Sequence, residues 1–171
     1  MKHIFVFSVL LSGLLASPID LSTFKADFTQ NITDEKNKVL TYKGDIIASD
    51  KQKALWRYSF PIKKLVYLNK NKVTIVEPEI EQVIIKYVKS NFNFFNMLKN
   101  SKQISNNKYL AKFNGVDFTI TTADKKIESI NYLDNFENKV KIIFQNQKQN
   151  IKIDNNNFVP KYDLDFDVIR D

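Results

Sequence analysis

The chain has 171 residues and a net charge of +7 at pH 7, with no cysteine and a single histidine, His3. This length fits one domain with a substantial core, and the missing cysteines exclude disulfides, thiol nucleophiles and cysteine-ligated metal sites. The lysines are scattered, which disfavours a nucleic-acid interface and favours a solvated basic surface. Weak attraction to an anionic membrane or an acidic partner is the alternative.

The N-terminus has the pattern of a cleavable secretory signal. Lys2 supplies the positive region, Ile4–Leu15 the apolar region and Ala16 a small residue at the cleavage position. The apolar run is shorter than a membrane-spanning helix needs, and a retained membrane anchor is the alternative. We therefore predict that residues 1–16 are a signal peptide and that residues 17–171 form one exported domain without histidine.

The first half of this domain is predicted to consist of strands. Apolar and polar residues alternate from Phe24 to Thr33, and this period of two predicts a half-buried strand. Pro78 has no amide hydrogen to donate to a sheet, so it separates two later strands. Beyond the first strand, the predicted ones are Val39–Ala48, Ala54–Phe60, Lys64–Asn69, Val73–Val76 and Ile80–Val88.

The second half continues in the same way, with one exception. The pair Asn114-Gly115 predicts a hairpin between strands Tyr109–Phe113 and Val116–Thr122. In Ser90–Ser101 the apolar residues instead have helical spacing, which predicts a short helix capped by Ser90. The regular spacing of the strands favours an antiparallel sandwich or barrel. The last predicted strands are Ile127–Leu133, Lys139–Gln145 and Asn150–Ile153.

Three glutamates, Glu77, Glu79 and Glu81, are the candidates for acid–base chemistry. Alternate residues of a strand share a face, so two of them could form the carboxylate pair that a glycosidase needs. They flank a proline turn, however, where solvent keeps carboxylates ionised, and a structural interpretation is favoured. We expect no catalytic residue, no metal and no cofactor.

Several predicted strands carry apolar residues on both faces. Leu65–Leu68 and Val83–Ile85 are continuous apolar runs. An antiparallel sheet with one face in water alternates more cleanly. The pattern fits either a sandwich core or a sheet with one face packed and the other lining a cavity.

An ordered series of short motifs carries a family resemblance. No single motif is specific, but together they cover nearly the whole predicted domain and resemble the LolA family, the periplasmic carriers of outer-membrane lipoproteins. The motifs are Asp27–Asn31 (DFTQN), Tyr42–Ile46 (YKGDI), Ala54–Pro61 (ALWRYSFP), Glu77–Val83 (EPEIEQV), Tyr132–Phe144 (YLDNFENKVKIIF) and Asn157–Ile169 (NFVPKYDLDFDVI).

The resemblance implies a fold and a function. The fold would be a mainly β single domain, an unclosed antiparallel β-barrel of about 10 or 11 strands, with a short helical lid over an apolar cavity. The function would be that of a non-enzymatic periplasmic chaperone for the acyl chains of lipoproteins. The implied partners are acylated lipoproteins, an inner-membrane lipoprotein-releasing ABC transporter and an outer-membrane acceptor or the membrane itself. We expect a monomer that binds no nucleic acid.

Strand parity within the implied fold indicates which side chains face the acyl chains. Phe92, Phe95 and Leu98 are assigned to the lid, which would fill the empty cavity. Burial of a ~16-carbon chain contributes on the order of 10 kcal/mol to binding. Because the ligand would have to displace the lid side chains, the net binding free energy would be smaller. The predicted cavity lining is Phe28, Ile46, Ala48, Trp56, Tyr58, Tyr67, Val83 and Ile85.

Three features depart from the family pattern. The family's arginine that ties down the lid is replaced by Asp50-Lys51, so either Lys51 or Arg57 serves as the latch or the latch is absent. The family's hairpin tyrosine is replaced by Val76, and the segment before Phe24 is too short for a full first lid helix. We therefore expect a weaker lid.

Two alternative functions stay open. The first is a carrier of other lipids or amphiphiles, which the identity of the cargo would distinguish. The second is a carboxylate-based periplasmic hydrolase, in which Glu77→Gln or Glu81→Gln would abolish activity and leave lipid binding intact.

Overall fold

The computed structural model describes residues 21–88 and 93–170. Within these residues, twelve strands form one sheet, accompanied by one short helix and two 3₁₀ turns. The predicted signal peptide, residues 1–16, lies outside the described part. The strands are β1 Thr23–Thr33, β2 Val39–Ser49, β3 Lys53–Phe60, β4 Lys64–Asn69, β5 Lys72–Glu77, β6 Gln82–Tyr87, β7 Lys102–Ser105, β8 Lys108–Phe113, β9 Val116–Ala123, β10 Lys126–Leu133, β11 Lys139–Gln149 and β12 Asp167–Arg170. The helix α1 is Phe94–Lys99, and the 3₁₀ turns are Pro78–Ile80 and Asn155–Phe158.

The sheet is antiparallel and not closed. Its strand order is β12-β6-β5-β4-β3-β2-β1-β11-β10-β9-β8-β7, and among the described strands β12 and β7 are the two edges. Every pair of neighbours is antiparallel except β12 and β6, which run parallel. The predicted mainly β, unclosed architecture with a short helix is therefore confirmed, with one parallel pair added.

Most predicted strands are present close to their predicted positions, but the C-terminal segment differs. Asn150–Ile153 is not a strand, because the chain leaves the sheet after β11. Ile153 instead packs against a hydrophobic cluster that includes Leu55 and Tyr67. The strands β7 and β12 were not predicted from the sequence. Each is only four residues long and lies at a sheet edge, so neither shows a readable alternation.

The helix is shorter than predicted. It begins at Phe94, and Asn93 is its N-cap, with the side chain accepting a hydrogen bond from the Asn96 amide at 3.1 Å. Ser90, the predicted cap, lies outside the described residues. The last turn is closed by Ser101, whose hydroxyl donates to the Leu98 carbonyl at 2.6 Å.

The hairpin turns follow the sequence signals. Asn114 and Gly115 have φ angles of 49° and 79°, so the predicted Asn-Gly hairpin between β8 and β9 is confirmed. The 3₁₀ turn Pro78–Ile80 joins β5 to β6, and Glu81 closes it with a φ of 52°. Glu79 and Glu81 are exposed there, as the structural interpretation of the glutamates predicted.

Each face of the sheet has its own hydrophobic cluster. The neighbours Ile46 and Ile47 in β2 belong to different clusters because successive side chains of a strand point to opposite faces. We call the face that carries α1 the inner face and the opposite one the outer face. The outer cluster consists of Ile47, Leu55, Tyr67, Val76, Val83 and Ile85, with Phe158 of the C-terminal segment packed on them.

Candidate functional site

Helix α1 covers one part of the inner face. Phe95 and Leu98 are buried in the inner cluster, with Leu98 at 0% exposure. Beneath the helix, the Phe24 ring lies 5.2 Å from that of Phe144 in β11 and 6.2 Å from that of Phe94. We call the inner face of β1 and β8–β11 the covered half. It is packed like an ordinary protein core.

The inner face of β3–β6 lacks such a cover within the described residues. The strand register aligns Trp56, Val66, Ile75 and Ile84 in one row across these four strands. Leu68 and Val73 form the next pair, and all six side chains are only half-buried. Contiguous apolar side chains that stay accessible to solvent mark ligand or partner sites. We call these six residues the open patch.

An aromatic group joins the covered half to the open patch. The Phe28 ring contacts those of Trp56 and Tyr58 edge to face, at centroid distances of 4.9 Å and 5.1 Å. Tyr58 also meets Tyr42, with 5.8 Å between ring centroids. The Tyr58 hydroxyl donates a hydrogen bond to the Gln30 side-chain oxygen at 3.2 Å. This group fixes the orientation of Trp56 and Tyr58 at the border of the patch.

Tyr58 and Tyr132 are neutral at physiological pH. Burial raises the pKa of Tyr58 to about 12, with smaller electrostatic contributions from Tyr132 and Tyr42. Burial also raises the pKa of Tyr132. Within the described residues, no three His, Cys, Asp or Glu side chains are grouped to hold a metal ion. The site therefore offers apolar contact and neutral hydrogen-bond donors, with the Lys64 ammonium 5.2 Å from the centroid of the Tyr58 ring.

The predicted cavity residues divide between the two faces. Phe28, Ile46, Ala48, Trp56 and Tyr58 share the inner face. The single shared face predicted for all eight residues is corrected, because the other three lie on the outer face, against Phe158: Tyr67, Val83 and Ile85.

The register explains which residues sequence reasoning missed. In the apolar runs of β4 and β6, every position is apolar, so alternation does not indicate which side chains lie on which face of the sheet. Counting parity from Trp56 through the β3–β4 hairpin would have placed Val66 and Leu68, not Tyr67, on the inner face. The same count through β5 would have selected Ile84 instead of Val83 and Ile85.

A separate pocket lies on the outer face, where Ile85 points. It has a volume of about 720 Å³ and lies between β4–β6 and residues 160–166 of the C-terminal segment. Leu65 and Val76 line its floor, and Phe166 contributes from the segment. Adjacent residues of one strand, such as Leu65 and Val66, therefore face different sites.

The predicted lid residues lie over the covered half where they are described. Phe95 and Leu98 belong to α1 and are buried, whereas Phe92 lies outside the described residues. Phe94 and Met97 also pack against the inner cluster and were not among the predicted lid residues.

Neither candidate latch contacts the helix. Arg57 lies on the outer face, where its Nε donates to both carboxylate oxygens of Asp45 at 3.0 Å and 2.9 Å. It faces away from α1 because it alternates with Trp56 and Tyr58. Lys51 is exposed in the β2–β3 turn, and no described hydrogen bond or ion pair joins its ammonium to α1. Neither residue therefore holds the described part of the helix.

Comparison with known proteins assigns the chain to a family. The family described as "Outer membrane lipoprotein carrier protein LolA" matches residues 20–161. The chain belongs to the LolA family. This confirms the resemblance carried by the sequence motifs. Among residues 21–88 and 93–170, moreover, no helix has the length and apolar character needed to cross a bilayer.

Individual relatives agree with this assignment. An outer-membrane lipoprotein carrier protein from Campylobacter jejuni is 38% identical over 169 residues, which is 99% of each chain. A protein of the same name from Helicobacter hepaticus is 31% identical and covers 92% of this chain and 89% of its own. The crystal structure of an uncharacterized conserved protein from Thermus thermophilus has a TM-score of 0.55 at 12% identity, covering 88% of this chain and 91% of that one. The last similarity concerns the fold alone.

Proposed function

We propose that this LolA family member is a periplasmic carrier that takes up the acyl chains of lipoproteins at the inner membrane and delivers them to the outer membrane. The observation that carries the proposal is the open patch, an accessible apolar surface on the helix-bearing face of the sheet. The names of the relatives support the nature of the cargo. The role is one of binding, and we propose no catalytic step.

The energetics of a carrier require a patch that is open on one side. Complete burial of a ~16-carbon chain contributes on the order of 10 kcal/mol, and several chains held so tightly would not be released. A chain that lies on Trp56, Val66 and Ile84 is contacted mainly from the sheet. Its net affinity is therefore lower, and transfer to a membrane needs no energy source at the carrier.

The helix would limit affinity in a second way. Phe95 and Leu98 already fill the covered half in the described structure. Acyl chains that extend beyond the open patch must displace these side chains, and this lost packing offsets part of the gain from burial. We propose the same role for Phe92.

The cellular setting follows from the carrier role. We propose that residues 1–16 direct export and are removed, which leaves a monomeric carrier in the periplasm. It would receive lipoproteins from an inner-membrane ABC transporter and pass them to an acceptor or to the outer membrane itself. N-terminal sequencing of protein isolated from the periplasm would establish the cleavage site.

The cargo can be identified directly. Tagged protein is purified from the periplasm, and the bound material is examined by mass spectrometry. We expect acylated lipoproteins to co-purify, and depletion of the protein to leave lipoproteins in the inner membrane. If only other lipids co-purify, the chain carries a different amphiphile. If no acyl cargo is found and sorting is unaffected, the proposal is wrong.

A matched pair of variants tests the open patch. Val66 and Leu65 are neighbours in β4 and are both half-buried, but they point to the inner and outer faces. Val66→Glu should weaken binding of a fluorescent acyl probe by about tenfold or more, because it places a charge among apolar side chains. Leu65→Glu should leave the affinity within about twofold. A larger loss in Leu65→Glu would assign binding to the outer pocket instead.

A further inference from the structure

Polar side chains interrupt the apolar inner face where the covered half meets the open patch. Tyr42, Tyr58 and Gln30 lie there, and Tyr132 of β10 interacts electrostatically with Tyr58 from the covered half; all four are half-buried. Tyr58 and Tyr132 pack against the inner cluster, and Tyr58 also interacts electrostatically with Tyr42. We call these four residues the phenol cluster. Hydrocarbon chains neither donate nor accept hydrogen bonds, so they offer no partner for these four side chains.

The local backbone brings the cluster together. Gly44 pairs with Phe28 on one side and with Tyr58 on the other, so no side chain stands between the two rings. Phe28 and Tyr58 are two strands apart, a distance of roughly 10 Å, yet their ring centroids are 5.1 Å apart. A Cβ at Gly44 would also lie 1.9 Å from the Arg57 carbonyl oxygen. Tyr58 is thus held in a fixed position between Phe28 and Tyr42.

The cluster has spare hydrogen-bond donors. The Tyr58 hydroxyl donates to the Gln30 oxygen, which leaves the Gln30 amide NH₂ available. No described residue accepts a hydrogen bond from this NH₂ or from the hydroxyls of Tyr42 and Tyr132. A phenol is protonated and uncharged at neutral pH, and burial raises the pKa of both Tyr58 and Tyr132 further above it. Uncharged donors in an apolar setting complement an uncharged acceptor that has no proton of its own.

We propose that the phenol cluster binds the ester carbonyl oxygens of the cargo's acyl groups while the chains lie on the open patch. This inference rests on the proposed function and adds a specificity element to it. An ester carbonyl accepts hydrogen bonds and donates none, which matches the free donors of the cluster. The bond fixes how deep the chains enter, since the ester stays at the border between the two halves.

Two charged groups lie beside the cluster: Lys64 at Tyr58 and Asp134, which interacts electrostatically with Tyr132. The Lys64 ammonium lies 5.2 Å from the centroid of the Tyr58 ring, on the neighbouring strand β4. An anion could therefore be attracted to the same point. The experiment must keep ligand charge constant and change only the carbonyl group.

A pair of synthetic ligands meets this requirement. One is a diacylglyceryl-cysteinyl peptide with two hexadecanoyl ester chains, and the other is its dihexadecyl ether analogue, which has the same charge and lacks the carbonyls. We expect the wild-type protein to bind the ester form about three- to tenfold more tightly, as measured by displacement of a fluorescent acyl probe. Tyr42→Phe and Tyr132→Phe each remove one free hydroxyl donor, so each should reduce this preference and leave ether binding unchanged.

Tyr87→Phe is the matched control. Tyr87 is 65% exposed at the end of β6, outside the cluster, so its variant should keep the ester preference. Because the ratio compares two ligands on one protein, a partly destabilised variant still gives a valid result. Equal binding of ester and ether by the wild type, or an unchanged preference in both cluster variants, would overturn this inference but not the carrier role.

Two further outcomes separate the sources of the ester. If neither lipopeptide binds, the proposed function fails and this inference with it. Diacyl and dialkyl phosphatidylglycerol, tested in parallel, carry the same glyceryl linkage on a membrane phospholipid. An ester preference confined to the phospholipids would overturn the assignment to lipoprotein cargo, whereas a preference in the lipopeptides supports it.

Discussion

The covered half and the open patch are built from the same sheet face but have different physical states. In the covered half, Phe24, Ile120 and Ile127 are at 0% exposure in the hydrophobic cluster that includes Phe95 and Leu98 of α1. In the open patch, residues of equal hydrophobicity such as Ile75 and Ile84 are only half-buried. The difference lies in what covers them and not in their composition. An apolar strand face is therefore a core where α1 lies on it, and we propose that it is a binding surface where no described residue covers it.

The two halves should contribute to different properties of the protein, one mainly to stability and the other mainly to ligand affinity. Residues of the covered half should contribute mainly to the free energy of unfolding, because they are already buried in the empty protein. Residues of the open patch should contribute mainly to ligand affinity, because their burial is completed only by the ligand. Substitutions on the two halves separate these contributions.

The largest expected effect is on the covered half. Phe24→Ala should lower the free energy of unfolding by about 3–5 kcal/mol, because a fully buried ring with two aromatic neighbours is removed. Urea denaturation followed by the fluorescence of Trp56, the single tryptophan, measures it. A loss below about 1 kcal/mol would show that the covered half is not the core.

The second-largest expected effect is the pH dependence that Tyr58 gives to the free energy of unfolding. The pKa of Tyr58 is about 12 in the folded protein and near 10 in the unfolded chain. Between pH 10 and pH 12 the unfolded state therefore releases this proton first, and stability falls as pH rises. Below pH 10 the contribution is fully present.

Removing the hydroxyl should remove this pH dependence. Between pH 9 and pH 12 the wild type should lose about 2 kcal/mol more stability than Tyr58→Phe, measured by urea denaturation at each pH. Parallel curves for the two proteins would show that Tyr58 titrates like an exposed phenol, and that the border is more open than described.

A smaller effect on stability is expected in the open patch. Ile84→Ala should lower the free energy of unfolding by about 1 kcal/mol, because the side chain is only half-buried. The affinity for an acyl probe should nevertheless fall by about three- to tenfold. A stability loss as large as that of Phe24→Ala, with binding unchanged, would remove the distinction between the two halves.

The smallest effect on stability is expected at the N-terminus of α1. Asn93→Ala removes the side chain that caps α1 and should cost about 0.5–1 kcal/mol, visible as faster amide exchange in the helix. Asn96→Ala is the control, because it keeps the Asn96 backbone amide that donates to the Asn93 side chain. Equal exchange in both variants would mean that the cap does not hold the helix over the covered half.

Sequence reasoning performed well where local chemistry decides the structure. Pro78 and Asn114-Gly115 defined their turns, and the alternation in β1 gave a strand with the correct inner residues Phe28 and Ala26. It performed poorly in β4 and β6, where continuous apolar runs hide the register and Tyr67, Val83 and Ile85 were assigned to the inner face. The same ambiguity hid Val66 and Ile84.

The sequence by itself determined most of the strands, the turns at Pro78 and Asn114-Gly115, the family and the absence of thiol chemistry, because each of these depends on neighbouring residues or on composition. Only the tertiary structure decided which apolar residues are core and which are accessible. That distinction depends on where α1 and the C-terminal segment lie on the sheet, through contacts between residues far apart in the chain. Leu98 and Ile84 are both apolar residues of this domain, yet Leu98 is fully buried against the sheet and Ile84 is only half-buried.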